Sequence, residues 1–65
     1  MASWFVIVEF NQASRQPDSN QQLELFDSLA EAREIAAALL RENRARGRRE
    51  TYRIYELEEI EATDG

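Results

Sequence analysis

Three residue types that carry much of protein chemistry are missing from this 65-residue chain. It has no cysteine, no histidine and no lysine, so all eight basic residues are arginine. The absence of cysteine excludes disulfides, thiolate catalysis and sulfur-bound zinc, and it fits a reducing compartment. Without histidine, lysine or cysteine, a nucleophilic serine would have only carboxylates as bases. We therefore expect no enzymatic activity and assign no catalytic residue.

Glycine and long apolar runs are also scarce. The two glycines, Gly47 and Gly65, cannot build a glycine-rich phosphate loop, so we expect no cofactor and no small-molecule substrate. No apolar run approaches the roughly 18 residues that a membrane helix needs, and the first residues lack the basic region of a signal peptide. The expected location is the cytoplasm, without membrane contact.

The most informative stretch that is present runs from Trp4 to Phe10, where six of seven side chains are apolar. We predict a first strand from Ser3 to Phe10, and a strand that is apolar on both faces needs cover on both faces. A chain of this length forms one domain, residues 1–65, with a thin stability margin. One helix can cover only one face of a sheet.

The remaining elements follow from turn and helix signals. Residues 11–22 are polar and contain the turn sequence Pro-Asp-Ser-Asn, which predicts a long flexible loop before a short strand at Leu23 to Phe26. Ser28, with Glu31 three residues later, is a helix N-cap pattern, and Gly47 suits the position after the helix end. A third strand at 51–60 and a frayed acidic tail at 61–65 complete the chain.

The predicted fold is α+β, with the order β-β-α-β. The continuous apolar run places the first strand in the centre of a three-stranded antiparallel sheet of order 2-1-3, and a right-handed crossover packs the helix on one face. Trp4, Val6, Val8 and Phe10 share one face of the first strand, and we assign that face to the helix. The other face would then be open. Its predicted residues are Phe5, Ile7, Phe26, Tyr52 and Ile54.

Charge is distributed in blocks, although the chain as a whole carries a net charge of -5. Five arginines, which we call the arginine block, lie between residues 41 and 49: Arg41, Arg44, Arg46, Arg48 and Arg49. Such a block could bind an anionic partner, yet arginines at a helix C-terminus are also a common solvated arrangement. The net acidity of the chain disfavours nucleic acid as a partner.

The acidic tract near the C-terminus comprises Glu56, Glu58, Glu59, Glu61 and Asp64. It lacks the spaced Asp or Asn residues and the glycine of a calcium loop, so we expect a solvated strand end and no metal site. The tract could also pair with the arginine block of a second copy.

The order of elements resembles that of very small phage-encoded inhibitors. The segments that carry this resemblance are Phe-Asp-Ser-Leu-Ala-Glu-Ala-Arg-Glu-Ile-Ala, leading into the helix, and the closing strand Tyr-Arg-Ile-Tyr-Glu-Leu. The layout is similar to that of some anti-CRISPR proteins. The resemblance implies a non-enzymatic inhibitor that docks on a host nucleic-acid-binding complex, with the arginine block as the candidate surface.

A large exposed apolar patch is rare on monomeric proteins, and this gives the first functional hypothesis. We expect a small protein-interaction module that homodimerises or docks on a protein partner through its open sheet face. The alternative is the phage-type inhibitor or accessory factor that acts through the arginine block. Substitution of apolar residues on the open face would impair the first function, and charge reversal in the arginine block the second.

Overall fold

The computed structural model describes residues 3–63. The elements are strand β1 at Phe5–Phe10, strand β2 at Leu25–Phe26, helix α1 at Leu29–Ala45 and strand β3 at Thr51–Glu56. The three strands form one antiparallel sheet in the order β2-β1-β3. The predicted fold class, element order and strand order are therefore confirmed. All three strands are shorter than predicted, because residues 3–4, 23–24 and 57–60 lie outside them.

The register of the sheet determines which side chains share a face. Along β1 and β3, Ile7 lies opposite Ile54, and Val6 lies opposite Tyr55. On the other side of β1, Phe5 lies opposite Phe26. Directly opposed residues of an antiparallel pair project to the same face, so the odd-numbered residues of β1 share a face with the even-numbered residues of β3.

Helix α1 begins and ends where local chemistry predicts. The Oγ atom of Ser28 accepts a hydrogen bond from the Glu31 N–H at 3.3 Å. At the other end Gly47 has a φ of +76°, the left-handed conformation that glycine adopts without steric cost. The N–H groups of Gly47 and Arg48 donate to the carbonyls of Arg44 and Asn43, at 3.1 and 2.8 Å. These two bonds form a Schellman motif, which satisfies the last carbonyls of the helix.

The core lies between α1 and the face of the sheet that carries Ile7. Ile7, Phe26 and Ala32 are buried there, and five partly buried side chains pack against them. These are Phe5, Ala36, Leu39, Tyr52 and Ile54. Asn43, on the same face of the helix as Ala32, Ala36 and Leu39, is also buried. Leu29 and Ile35, at the margins of this face, stay more than a third exposed.

The long loop at 11–22 folds back along β1. The Gln21 side chain accepts a hydrogen bond from the Glu9 N–H at 2.7 Å and donates to the Glu9 carbonyl at 2.9 Å. The Asp18 N–H donates to the same carbonyl at 3.0 Å, and Pro17 forms an isolated bridge with Phe10. The Gln21 amide therefore occupies the place of a neighbouring strand where the two-residue β2 does not reach.

Helix α1 is the only helix between residues 3 and 63, and it has 17 residues. Within that part of the chain no helix has the length and apolar character that crossing a bilayer requires.

Candidate interaction surface on the sheet

The sheet face opposite α1 is apolar and has no helix over it in the described part of the chain. Parity along β1 and its register with both neighbours bring seven apolar side chains together on this face. A bond from the Leu57 N–H to the Trp4 carbonyl, at 2.8 Å, extends the pairing by one residue. This surface takes the place of the open face predicted from the sequence, and from here on it alone is called the open face. Its residues are Trp4, Val6, Val8, Phe10, Leu25, Tyr55 and Leu57.

Exposure on the open face is graded from its centre to its margins. Val6, on the central strand between Leu25 and Tyr55, is only 4% exposed. Trp4, Leu25 and Leu57 around it are 48%, 54% and 49% exposed. The face therefore has a centre shielded by its own neighbours and a border of large apolar side chains in contact with water. An apolar patch of this kind on a small protein typically marks an interaction site.

One end of the open face carries a cation and two aromatic rings. The Arg53 guanidinium lies 4.7 Å from the centroid of the Phe10 ring, within the range of a cation–π contact. The Phe10 and Tyr55 rings are 6.3 Å apart, centroid to centroid. Tyrosine, tryptophan and arginine are the residue types most enriched among interface residues that dominate binding energy, and this face presents all three.

The predicted assignment of faces was wrong. Phe5, Ile7, Phe26, Tyr52 and Ile54 do share one face, as predicted, but it is the face that α1 covers. The reason is that both flanking strands supply apolar partners there, since Phe26 and Ile54 lie opposite Phe5 and Ile7.

The sequence contained one signal for the correct assignment. Along β3, Thr51 and Arg53 alternate with Tyr52 and Ile54, so the more polar side of this strand goes with the even-numbered residues of β1. Along β1 alone the even-numbered positions carry more apolar side chains than the odd-numbered ones, which favours the wrong face. A continuous apolar run gives no information about which of its faces is covered.

The structure distributes the arginine block over different environments. Arg46 forms an ion pair with Glu42 one helical turn earlier, at 2.9 Å, and both side chains are more than half exposed. Arg48 lies between Glu50, at 3.1 Å, and Glu9 of β1, at 3.4 Å. The other three, Arg41, Arg44 and Arg49, form no ion pair with residues 3–63. Carboxylates within the chain thus partly neutralise the block.

Arg48 belongs to a small polar cluster formed by the segment between α1 and β3, by β1 and by the start of β3. The Tyr52 hydroxyl lies 3.5 Å from the same Glu9 carboxylate that Arg48 contacts. Burial, and after it the negative charge of Glu9, raise the pKa of the Tyr52 hydroxyl. The backbone N–H of Glu50 lowers the pKa of the Glu50 carboxyl, and Arg48 adds to this effect while burial opposes it. The cluster ties the helix end to the sheet.

The acidic tract is exposed to solvent over the residues that the structure describes. Glu56, Glu58, Glu59 and Glu61 are exposed, and Asp64 lies outside the described residues. Within residues 3–63 no group of three or more acidic side chains is arranged as a metal site. Of the predicted tail, residues 61–63 lie outside any strand or helix, and 64–65 are not described.

No protein-family model matches the chain, and neither a curated protein nor a solved structure shows significant similarity to it. The resemblance to small phage-encoded inhibitors is neither supported nor opposed by these comparisons and stays a prediction. A function for the chain must therefore come from its own surfaces.

Proposed function

We propose that this protein is a non-enzymatic protein-interaction module whose open face binds a protein surface, either a second copy or a different protein. The observation that carries the proposal is the half-exposed border of Trp4, Leu25 and Leu57 around the buried Val6. We place this activity in the cytoplasm, the reducing compartment that a chain without cysteine fits.

The composition of the open face supports a protein partner. Its centre is aliphatic, its border carries aromatic rings, and Arg53 provides a cation at one end. A protein surface can cover such a face with an apolar core and can place a carboxylate near Arg53. Burial of apolar surface contributes about 25 cal/mol per Å², so the exposed border would supply much of the driving force.

The alternative proposal, an inhibitor or accessory factor that acts through the arginine block, has weaker support. Arg46 and Arg48 already contact carboxylates of the chain, so an anionic partner would have to compete with Glu42, Glu9 and Glu50. Arg44 and Arg49 do line one concave surface together with Gly47, but Glu50 lines it too. Arg53 on the open face forms no ion pair with any residue between 3 and 63, and the open face is therefore the preferred surface.

The test compares two substitutions on the open face with one elsewhere. Trp4→Asp combined with Leu25→Asp places two carboxylates on the border of the face, at positions exposed enough for the fold to tolerate them. Ile60→Asp is the matched control, because Ile60 is 97% exposed and lies beyond the end of β3. Each protein is tagged and used for quantitative affinity purification from its native cell, and its mass is measured by sedimentation equilibrium at micromolar concentration.

We expect the unmodified protein and Ile60→Asp to retain the same partner, or to associate with themselves, and the double variant to lose this binding by at least tenfold. Two buried carboxylates without partners would cost several kcal/mol, more than such a loss requires. Equal binding by the double variant and the control would contradict the proposal. So would a 7.6 kDa monomer that retains no protein.

A further inference from the structure

The two edges of the sheet differ in whether their backbone N–H and C=O groups have hydrogen-bond partners. On the β2 side, Gln21 and Asp18 hydrogen-bond to the backbone of Glu9, and Pro17 bridges Phe10, so the end of β1 is covered. On the other side, β3 is an edge strand of six residues with no proline and no lysine. Proteins usually protect a long edge strand, because its unpaired backbone groups can pair with another strand.

The register identifies which backbone groups of β3 are free. The bond from the Leu57 N–H to the Trp4 carbonyl fixes the odd-numbered residues of β3 as those that bond to β1. The N–H and C=O groups of Tyr52, Ile54 and Glu56 therefore point away from the sheet. Within residues 3–63, no hydrogen bond reaches the outer side of β3. These three residues each offer one free N–H donor and one free C=O acceptor, to which another strand can hydrogen-bond.

We infer that β3 pairs antiparallel with β3 of a second copy, about a two-fold axis at Ile54, to form a six-stranded sheet. In this register the outward groups of Ile54 bond to those of the partner's Ile54, and Tyr52 bonds to the partner's Glu56. Arg53 then lies directly opposite Tyr55 on the open-face side, where a guanidinium and an aromatic ring attract each other. The next register, centred on Arg53, would place two arginines opposite each other and is disfavoured.

Charge along the chain favours the same arrangement. The segment before β3 contains Arg48, Arg49 and Glu50, with Glu50 in an ion pair with Arg48, and the segment after it contains Glu58, Glu59 and Glu61. Antiparallel pairing about a two-fold axis brings the basic segment of one copy beside the acidic segment of the other, and it does so twice. In the register centred on Ile54, Arg49 lies opposite Glu59. A parallel arrangement would bring like charges together, so the charge order selects the antiparallel one.

This pairing uses the backbone groups on the outer edge of β3, and the open-face side chains that lie along that edge are Tyr55 and Leu57. The two-fold axis is perpendicular to the sheet, so both copies keep their open faces on the same side. The dimer would present one continuous apolar surface of six strands, with both helices on the opposite side. If the open face proved not to bind a protein, the β3 pairing could still form. If the β3 pairing did not form, the open face could still bind a protein.

The register of the β3 pairing can be tested with introduced cysteines, because the chain has no cysteine of its own. Arg53→Cys protein is mixed with Tyr55→Cys protein under mild oxidation, and the disulfide-linked species are separated by mass. Opposed residues of a non-hydrogen-bonded pair have Cα atoms roughly 4.5 Å apart, inside the disulfide range. Two copies of residue 53 would be about 8 Å apart, outside that range. We expect the mixed 53–55 disulfide to exceed either homodisulfide severalfold.

A second test removes one outward donor. In Glu56→Pro the substituted residue is exposed and its N–H does not bond to β1, so the monomer sheet keeps its ladder. Glu56→Ala is the matched control, since it removes the same carboxylate but keeps the N–H. We expect sedimentation equilibrium to show a mass twice the 7.6 kDa of the monomer for the unmodified protein and for Glu56→Ala. Glu56→Pro should associate roughly tenfold more weakly, because each of two interfacial bonds is lost.

Three results would overturn the inference: a monomeric unmodified protein, homodisulfides as abundant as the mixed disulfide, or equal association by Glu56→Pro and Glu56→Ala. The Trp4→Asp and Leu25→Asp double variant separates this inference from the proposed function. Its mixed-disulfide yield, with the cysteines added, should remain unchanged while open-face binding is lost.

Discussion

At the scale of single residues, Glu9 is the position at which the most interactions meet. Its backbone is held by Gln21, and its carboxylate contacts Arg48 and the Tyr52 hydroxyl. Neither the role of Glu9 nor that of Gln21 was predicted from the sequence. Gln21 is one of several glutamines in a polar loop, nothing in the sequence distinguishes it from Gln22, and its partner lies 12 residues away. Contacts of this kind depend on tertiary placement and leave no periodic signal.

The raised pKa of Tyr52 gives a prediction for pH dependence. Burial and Glu9 disfavour the phenolate in the folded protein, so the unfolded chain loses this proton more readily. The free energy of unfolding should be unaffected by this group below its ordinary pKa of 10.0 and should fall as pH rises through the raised value. In a Tyr55→Phe background, Glu9→Gln should move the tyrosinate absorbance titration to lower pH.

Glu34→Gln serves as the control for this titration, because Glu34 is exposed on the helix. It should leave the midpoint of the Tyr52 titration where it was. A midpoint that shifts equally in Glu9→Gln and Glu34→Gln would show that net charge, rather than the contact between Glu9 and Tyr52, is responsible.

At the scale of elements, the sequence predicted the ends of the helix and the order of the strands, but not the face of the sheet that the helix covers. Ser28 and Gly47 marked both ends of α1, and the apolar run of β1 correctly placed that strand in the centre of the sheet. The covered face was predicted wrongly, because it depends on the register that brings Ile54 opposite Ile7. Register is a property of pairs of strands, and an apolar run on one strand does not determine it.

The loop at 11–22 acts as a substitute for the missing length of β2, and this gives a stability prediction. Gln21→Ala should lower the free energy of unfolding by about 1–3 kcal/mol, because the Glu9 N–H loses its partner. Gln22→Ala, at an exposed neighbouring position, should change it by less than about 0.5 kcal/mol. Denaturant unfolding of the three proteins measures both values. Equal stability of the two variants would mean that Gln21 does not hold the edge of β1.

At the scale of the whole molecule, the protein is a thin two-layer slab. Its extents are 43 × 26 × 15 Å, and its radius of gyration is 13.6 Å, against about 11 Å for a compact chain of this length. Among residues 3–63, four apolar side chains are buried: Val6, Ile7, Phe26 and Ala32. A core this small leaves a thin stability margin, and association through the open face or the edge of β3 would increase it.

The single tryptophan is the most direct probe of the open face, because Trp4 lies on its border and is 48% exposed. The decisive measurement is the quenching of Trp4 fluorescence by acrylamide, first in dilute protein and then in protein bound to a partner protein or self-associated beyond the β3 dimer. The Leu25→Asp variant under the same conditions is the control. We expect Trp4 to be accessible to the quencher in dilute protein, to become protected on binding, and to stay accessible in Leu25→Asp. Full accessibility of Trp4 in the bound protein would contradict the proposal that the open face is the binding surface.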